Sequence, residues 1–178
     1  MRLGFAFTLC LALLPALPAA GQAPASADLA KQLVTTLSAA GLDAIAARDP
    51  DHPERLVAAL AFPGSQLLVV AAPYKEDSTI YALMANKMYR DVYSALQQPS
   101  ITTGKLFFQD LGCNGLQPGS DGSVDVMYEN GKTQTIFDGN WKKQKLSQAA
   151  YQERTRAADE QYAHLLRALL AAAQKGPA

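Results

Sequence analysis

Cys113 is the residue whose type and setting raise the question of covalent chemistry. It closes an apolar run, "KLFFQDL", and opens a glycine-rich loop, "GCNGLQPGSDGS", that ends at Ser123. A nucleophilic cysteine acts as its thiolate, so it needs a base or a positive dipole beside it. The nearest charge in sequence is Asp110, which pushes a thiol pKa up. Asn114-Gly115 follows as a turn, so no helix start supplies a dipole. The chain has two histidines, and neither His52, in a proline-rich loop, nor His164, far down the last helix, has a spacing that predicts an approach. Cys113 therefore reads first as a small buried residue. The alternative is a thiol-dependent enzyme or redox protein using Cys113 and loop 111–123.

Other chemistry has less to stand on. Two isolated histidines and Cys113 lack zinc-ligand spacing. "DGSVD", Asp121 to Asp125, lacks the alternating oxygen ligands and distal glutamate of a calcium loop. A strand follows the glycines where a phosphate loop requires a helix. No serine sits in a nucleophile elbow. No catalytic residue, metal ligand or cofactor is assigned on these grounds. Binding residues are easier to name. "NWKKQK" sets Trp141 beside Lys142, as an aromatic anchor with cations or as a solvated connection whose ring tucks under the last helix. Asn114 lies in the loop next to Cys113.

The elements that must position these residues follow from periodicity. Leu29, Leu33, Leu37 and Ala40 recur at helical spacing from Asp28, and Gly41 closes that helix with Leu42 folding back. "AARDPDHPER" reads as a polar loop. "RLVAALAF" and "SQLLVVAAPY" flank a Pro-Gly turn and form a hairpin. The second strand is apolar without alternation, so it is central. "TIYALMANKMYRDVYSALQQP" is a helix and "KLFFQDL" a third strand.

In "SVDVMYENGKTQTIFDG", Asn130-Gly131 favours a two-residue type I′ turn. That register puts Val124, Val126, Tyr128, Thr133, Thr135 and Phe137 on one face, the better core face. Ser147 is a good N-cap for a last helix with a stripe at Tyr151, Thr155, Ala158, Tyr162, Leu165, Leu169 and Ala172. About 27 residues at 1.5 Å each make it roughly 40 Å long, whereas a five-residue strand spans only about 17 Å. Its far end, "HLLRALLAAAQ", must be covered by the first helix or by another chain. Leu166 and Leu170 are therefore candidates for a protein partner or self-association.

The expected fold is α+β: a five-stranded antiparallel sheet with flanking helices, order α-β-β-α-β-β-β-α, and a long C-terminal helix. That order of elements resembles the profilin-like and roadblock-like arrangement, which implies one antiparallel sheet with helices packed against it. The resemblance is in element order and carries no functional residue.

The N-terminus gives an address. Arg2 precedes an apolar run from Leu3 to about Leu17, and small residues and prolines follow. This is the charge, apolar core and small-residue cleavage region of a secretory signal. Pro15 and Pro18 interrupt the run before the ~20 apolar residues that span a bilayer. Cys10 follows "FTL" rather than the small residue a lipid-anchor motif needs. Residues 1–25 are read as signal peptide and short linker, and 26–178 as a single domain in the periplasm or outside the cell.

Removing the leader takes Cys10 with it, so no intramolecular disulfide can form. About 150 residues suffice to bury a core without one. Sixteen basic and sixteen acidic residues balance in the full chain. Neutrality of that kind gives no footprint for nucleic acid, and no second apolar stretch approaches transmembrane length. An export signal, a chain long enough for a sound core and no assembled catalytic set lead to the expectation of an exported, non-enzymatic protein that binds a partner protein or small ligand in the cell envelope, with a structural envelope component as a further alternative. The export reading predicts a secreted chain that begins between Gln22 and Ser26, since small residues precede the cuts after Gly21 and Ala25. N-terminal sequencing of exported protein checks it, and a chain still starting at Met1 would refute it.

Overall fold

A computed structural model of the chain describes residues 25–73, 106–118, 122–129 and 133–175. The expected signal peptide lies outside the described residues, except its last position, and so do the helix expected over 79–99 and the Asn130-Gly131 turn. The architecture is α+β. Helix α1 (Ala27–Ala39) leads into β1 (Ala44–Arg48), β2 (Arg55–Phe62) and β3 (Gln66–Pro73). Then come β4 (Leu106–Leu111), β5 (Val126–Glu129), β6 (Thr133–Ile136) and the long helix α2 (Gln148–Lys175). The sheet has six strands in sequence order, each pair antiparallel.

The sixth strand corrects the five expected. It is β1, from the stretch read partly as loop, and its five residues pair from Ala44↔Leu60 to Arg48↔Leu56. Alanine is a poor strand former, so the pattern of β1 is set by its neighbour rather than by its own residues. Ile45 and Ala47 pack toward the helices, and Ala44 and Ala46 toward the opposite face.

The β2–β3 hairpin forms as its sequence dictates. Ser65 N–H donates to Phe62 O at 2.9 Å, with Pro63 and Gly64 between them. Gly64 has φ of +73°, the value a type II turn demands at its third position. Strand β3 is buried on both faces: Leu67, Val69 and Ala71 meet the helical layer, while Leu68 and Val70 join Phe107 on the other side.

The β5–β6 register differs from expectation by one residue. Glu129 pairs with Thr133, which leaves three residues in the connection instead of two. A one-residue slip turns a strand over. Met127, rather than Val126 and Tyr128, therefore faces the helices beside Thr135 and Phe137. Strand β4 accounts for this. Met127 lies opposite Phe108 on the helix face, and Tyr128 opposite Phe107 with ring centroids 5.7 Å apart on the other.

Strand β6 is an edge of the sheet, and Gln144 occupies it as a further strand would. Its Nε2 donates to Ile136 O at 2.7 Å, and Ile136 N–H reaches its Oε1 at 3.5 Å. Tyr151 hydroxyl adds a bond to Ile136 O at 3.1 Å.

Helix α1 ends as read: Leu42 N–H donates to Leu37 O at 2.9 Å and Gly41 N–H to Ser38 O at 3.0 Å. These are the paired bonds of a Schellman ending, although the Leu42 side chain stays 39% exposed. Ser147 caps α2 through Oγ, which accepts from Ala150 N–H at 3.1 Å. Helix α2 packs on α1, β1 and β2. Tyr162, Leu165, Leu166 and Leu169 are each 1% exposed or less.

This corrects the partner face expected on α2. Leu166 and Leu170 sit in the same core cluster as Leu33 and Leu37 of α1, so the chain covers them itself. Replacing Leu166 by alanine should lower stability by about 2–5 kcal/mol, the range for a leucine deleted from a packed core. The urea midpoint reads it, and a loss below ~0.5 kcal/mol would place Leu166 on the surface.

Candidate functional site

Three buried carboxylates tie the β4–β5 loop to both helices. Asp110 is the next-to-last residue of β4 and is fully buried. Its Oδ1 accepts from Asn114 N–H at 2.9 Å, and its Oδ2 from Gly115 N–H at 2.9 Å and Tyr162 hydroxyl at 3.2 Å. Asp125 accepts from Leu111 N–H at 2.6 Å and Gln117 N–H at 3.0 Å. These bonds hold a loop in which Cys113 and Gly115 both take positive φ, 55° and 83°.

Gly115 has a second constraint. A Cβ there would lie 2.6 Å from Ala27 N and 2.7 Å from Ser26 Oγ, so only glycine lets the loop meet the start of α1.

Ser26 is the hinge pin of that contact. It stands at the N-cap of α1, but its hydroxyl makes no cap. It donates instead to Asp159 Oδ1 and accepts from Leu116 N–H at 3.2 Å. Asp159, on α2, also accepts from Ala25 N–H at 2.6 Å. Tyr162, one turn further along α2, is wholly buried, with its ring stacked on Phe108 at 5.0 Å.

Burial dominates the electrostatics. It pushes Asp125 up to about 7, against the pull of the Gln117 and Leu111 amides. Asp110 is also raised, first by burial, with the charge of Asp159 adding to it. Tyr162 is raised by burial and by Asp110. Among the described residues no lysine, arginine or histidine side chain pairs with Asp110, Asp125 or Asp159.

Cys113 borders this cluster and is 4% exposed. Burial pushes its thiol to about 11, and the Asp110 charge adds to the effect. Its Sγ contact is Phe62 O at 3.9 Å. Asn114 lies half-buried beside it, and its Oδ1 is enclosed without a hydrogen-bond partner.

The histidines are engaged elsewhere. His52 Nδ1 is 3.5 Å from Glu54. His164 Nε2 is 3.1 Å from Asp49 Oδ1, and its Nδ1 3.6 Å from Asp51 Oδ2. Asp49 also caps its own loop, accepting from Asp51 N–H at 3.0 Å. Burial works to raise Asp49, but the His164 hydrogen bond and the loop amides outweigh it and hold the carboxyl below its usual value. Among the described residues no three His, Cys, Asp or Glu side chains are grouped to hold a metal ion.

The remaining sequence candidates lie near the β6 edge. Trp141 is half-buried, and Lys142 Nζ sits 5.2 Å above its ring. A shallow groove of about 170 Å³ runs between the ends of β5 and β6 and helix α2. Met127 and Ala158 line it, with Arg154, Glu129 and Gln161. Arg154 Nε donates to Thr135 Oγ1 at 2.9 Å.

The structure thus brings Cys113 and Asn114 together, and it keeps Leu166 and Leu170 inside. Sequence reading missed the network of Ser26, Asp110, Asp125, Asp159 and Tyr162. The available signal was Asp159, an acid adjoining the apolar stripe between Ala158 and Tyr162. No protein-family model, curated protein or solved structure matches the chain.

Asp125 sets a pH dependence. Its folded pKa is raised from 3.8 to about 7, so its neutral form favours folding. That contribution is complete below pH 3.8 and is lost as pH rises to about 7. Thermal stability should therefore decline across this window, and Asp125→Asn should flatten the slope. An unchanged slope in the variant would refute the assignment.

Proposed function

We propose that the chain is an exported, non-enzymatic protein of the cell envelope that binds a partner protein or a small ligand. The observation that carries this reading is the state of Cys113. A thiol with a pKa of about 11 is almost wholly protonated at neutral pH, and at 4% exposure a substrate does not reach it. The carboxylates around it hold backbone amides, and His164 is held by Asp49 and Asp51. Their chemistry is used in holding the fold.

Among the described residues, accessible groups suited to binding lie at the β6 edge, where Trp141 and Lys142 stand on the connection into α2 and the groove opens beside Arg154. An aromatic ring and a cation together suit a partner that presents a carboxylate next to an apolar group. Among the described residues no helix is long and apolar enough to cross a membrane.

The test is retention of a partner from envelope extract, followed by titration of the single tryptophan's fluorescence with what is retained. Trp141→Ala or Lys142→Glu should weaken binding at least about tenfold, while Cys113→Ser should leave it unchanged. Rapid labelling of the native thiol at neutral pH, or a turnover that Cys113→Ser abolishes, would overturn the reading in favour of a thiol enzyme.

A further inference from the structure

Asp159 is a carboxylate only 9% exposed, and its donors are the backbone N–H groups of Ala25 and Ser26 and the Ser26 hydroxyl. All three lie where the chain enters α1. Ser26 is fully buried, whereas Ala25, one residue earlier, is exposed. Asp159 has no cationic partner among the described residues, and it stands close enough to Asp110 for the two charges to repel. Buried carboxylates without a counter-charge are rare, because desolvation disfavours them strongly. Neutral amides are an incomplete answer to such a site.

Resting on the export reading above, we propose that the leader is cut between Ala25 and Ser26 and that the new α-ammonium of Ser26 is the missing counter-ion of Asp159. Ala23 and Ala25 put small residues at the third-last and last positions before that cut. A leader-cleaving peptidase adds water across the bond. The Ala25 carbonyl carbon takes the water oxygen and leaves as the leader's carboxylate. The Ser26 nitrogen keeps the electron pair of the broken bond and takes up protons to become an ammonium. That nitrogen already lies 3.4 Å from Asp159 Oδ1, and removing Ala25 clears the donor now 2.6 Å from Oδ2. The ammonium then brings three N–H donors to the carboxylate, with full charge in place of a dipole. A cut after Gly21 would leave four residues ahead of Ser26 and an ordinary amide at this position. Processing at Ala25 therefore both releases the chain and completes its packing, and the precursor is the less stable form.

Two measurements test this. Intact mass and N-terminal sequencing of the chain from an exporting host should give Ser26 as the first residue. Separately, a chain starting at Ser26 with a free amine is compared with its N-acetylated counterpart, each with and without Asp159→Asn. An ammonium that gains a carboxylate on folding adds stability below its unfolded pKa, about 8, and loses it as pH rises. The acetylated chain should melt about 5 °C lower at pH 7, the gap should close above pH ~10, and Asp159→Asn should abolish it. If that variant does not fold, the closing of the gap between the free and acetylated chains at high pH carries the comparison. A mature chain beginning at Gln22 would overturn the proposal and leave the export reading standing; a retained Met1 would overturn both. Equal melting curves at pH 7 would overturn the ion pair.

Discussion

The backbone between β4 and β5 poses the problem that the rest of the structure answers. The amides of Leu111, Asn114, Gly115 and Gln117 turn inward, away from any strand or helix partner. A buried amide left unbonded costs a free energy comparable to a lost hydrogen bond. Asp110 and Asp125 supply the acceptors, each spanning several residues of loop. Asp159 does the same for the entry to α1. Placing these carboxylates requires β4 at one end, β5 at the other and α2 across the top. Gly115 must then lack a side chain so that the loop and α1 can touch.

This arrangement explains why residues suited to chemistry are not displayed for it. A carboxylate that holds two amides is fixed in place and acts as an acceptor. A thiol set among such groups feels low polarity and negative charge together, and both favour the protonated form. The same desolvation leaves Asp125 poised near neutrality, with its pKa raised to about 7. One of the groups that hold the loop, Asp125, thus responds to mild changes in pH.

Strongly patterned elements were legible in the sequence. The Leu33–Leu37 spacing, the Pro63-Gly64 turn, the apolar run of β3 and the Ser147 cap each carry their structure locally. What failed depended on neighbours. Three of the five residues of β1 are alanine, so its pairing with β2 decides its conformation. The β5–β6 register turned on one residue of loop length, and the Phe107–Phe108 pair of β4 settled which face of β5 is buried. Asp159 on a helical stripe resembles any solvated acid, and only the contact with Ser26 reveals its role. Leu166 and Leu170 were read correctly as needing cover, but their cover is α1 of the same chain.

The Gln144 amide at β6 changes what that edge offers to another strand. A sheet grows into a fibre when each added copy offers a fresh edge to the next. Here one edge carries a side chain that mimics a peptide group at Ile136, so it presents the pattern of an already completed pair. A strand added at this position would first have to displace the glutamine amide from Ile136. One side chain thereby makes this stretch of edge a poorer template for a further strand than bare backbone would be.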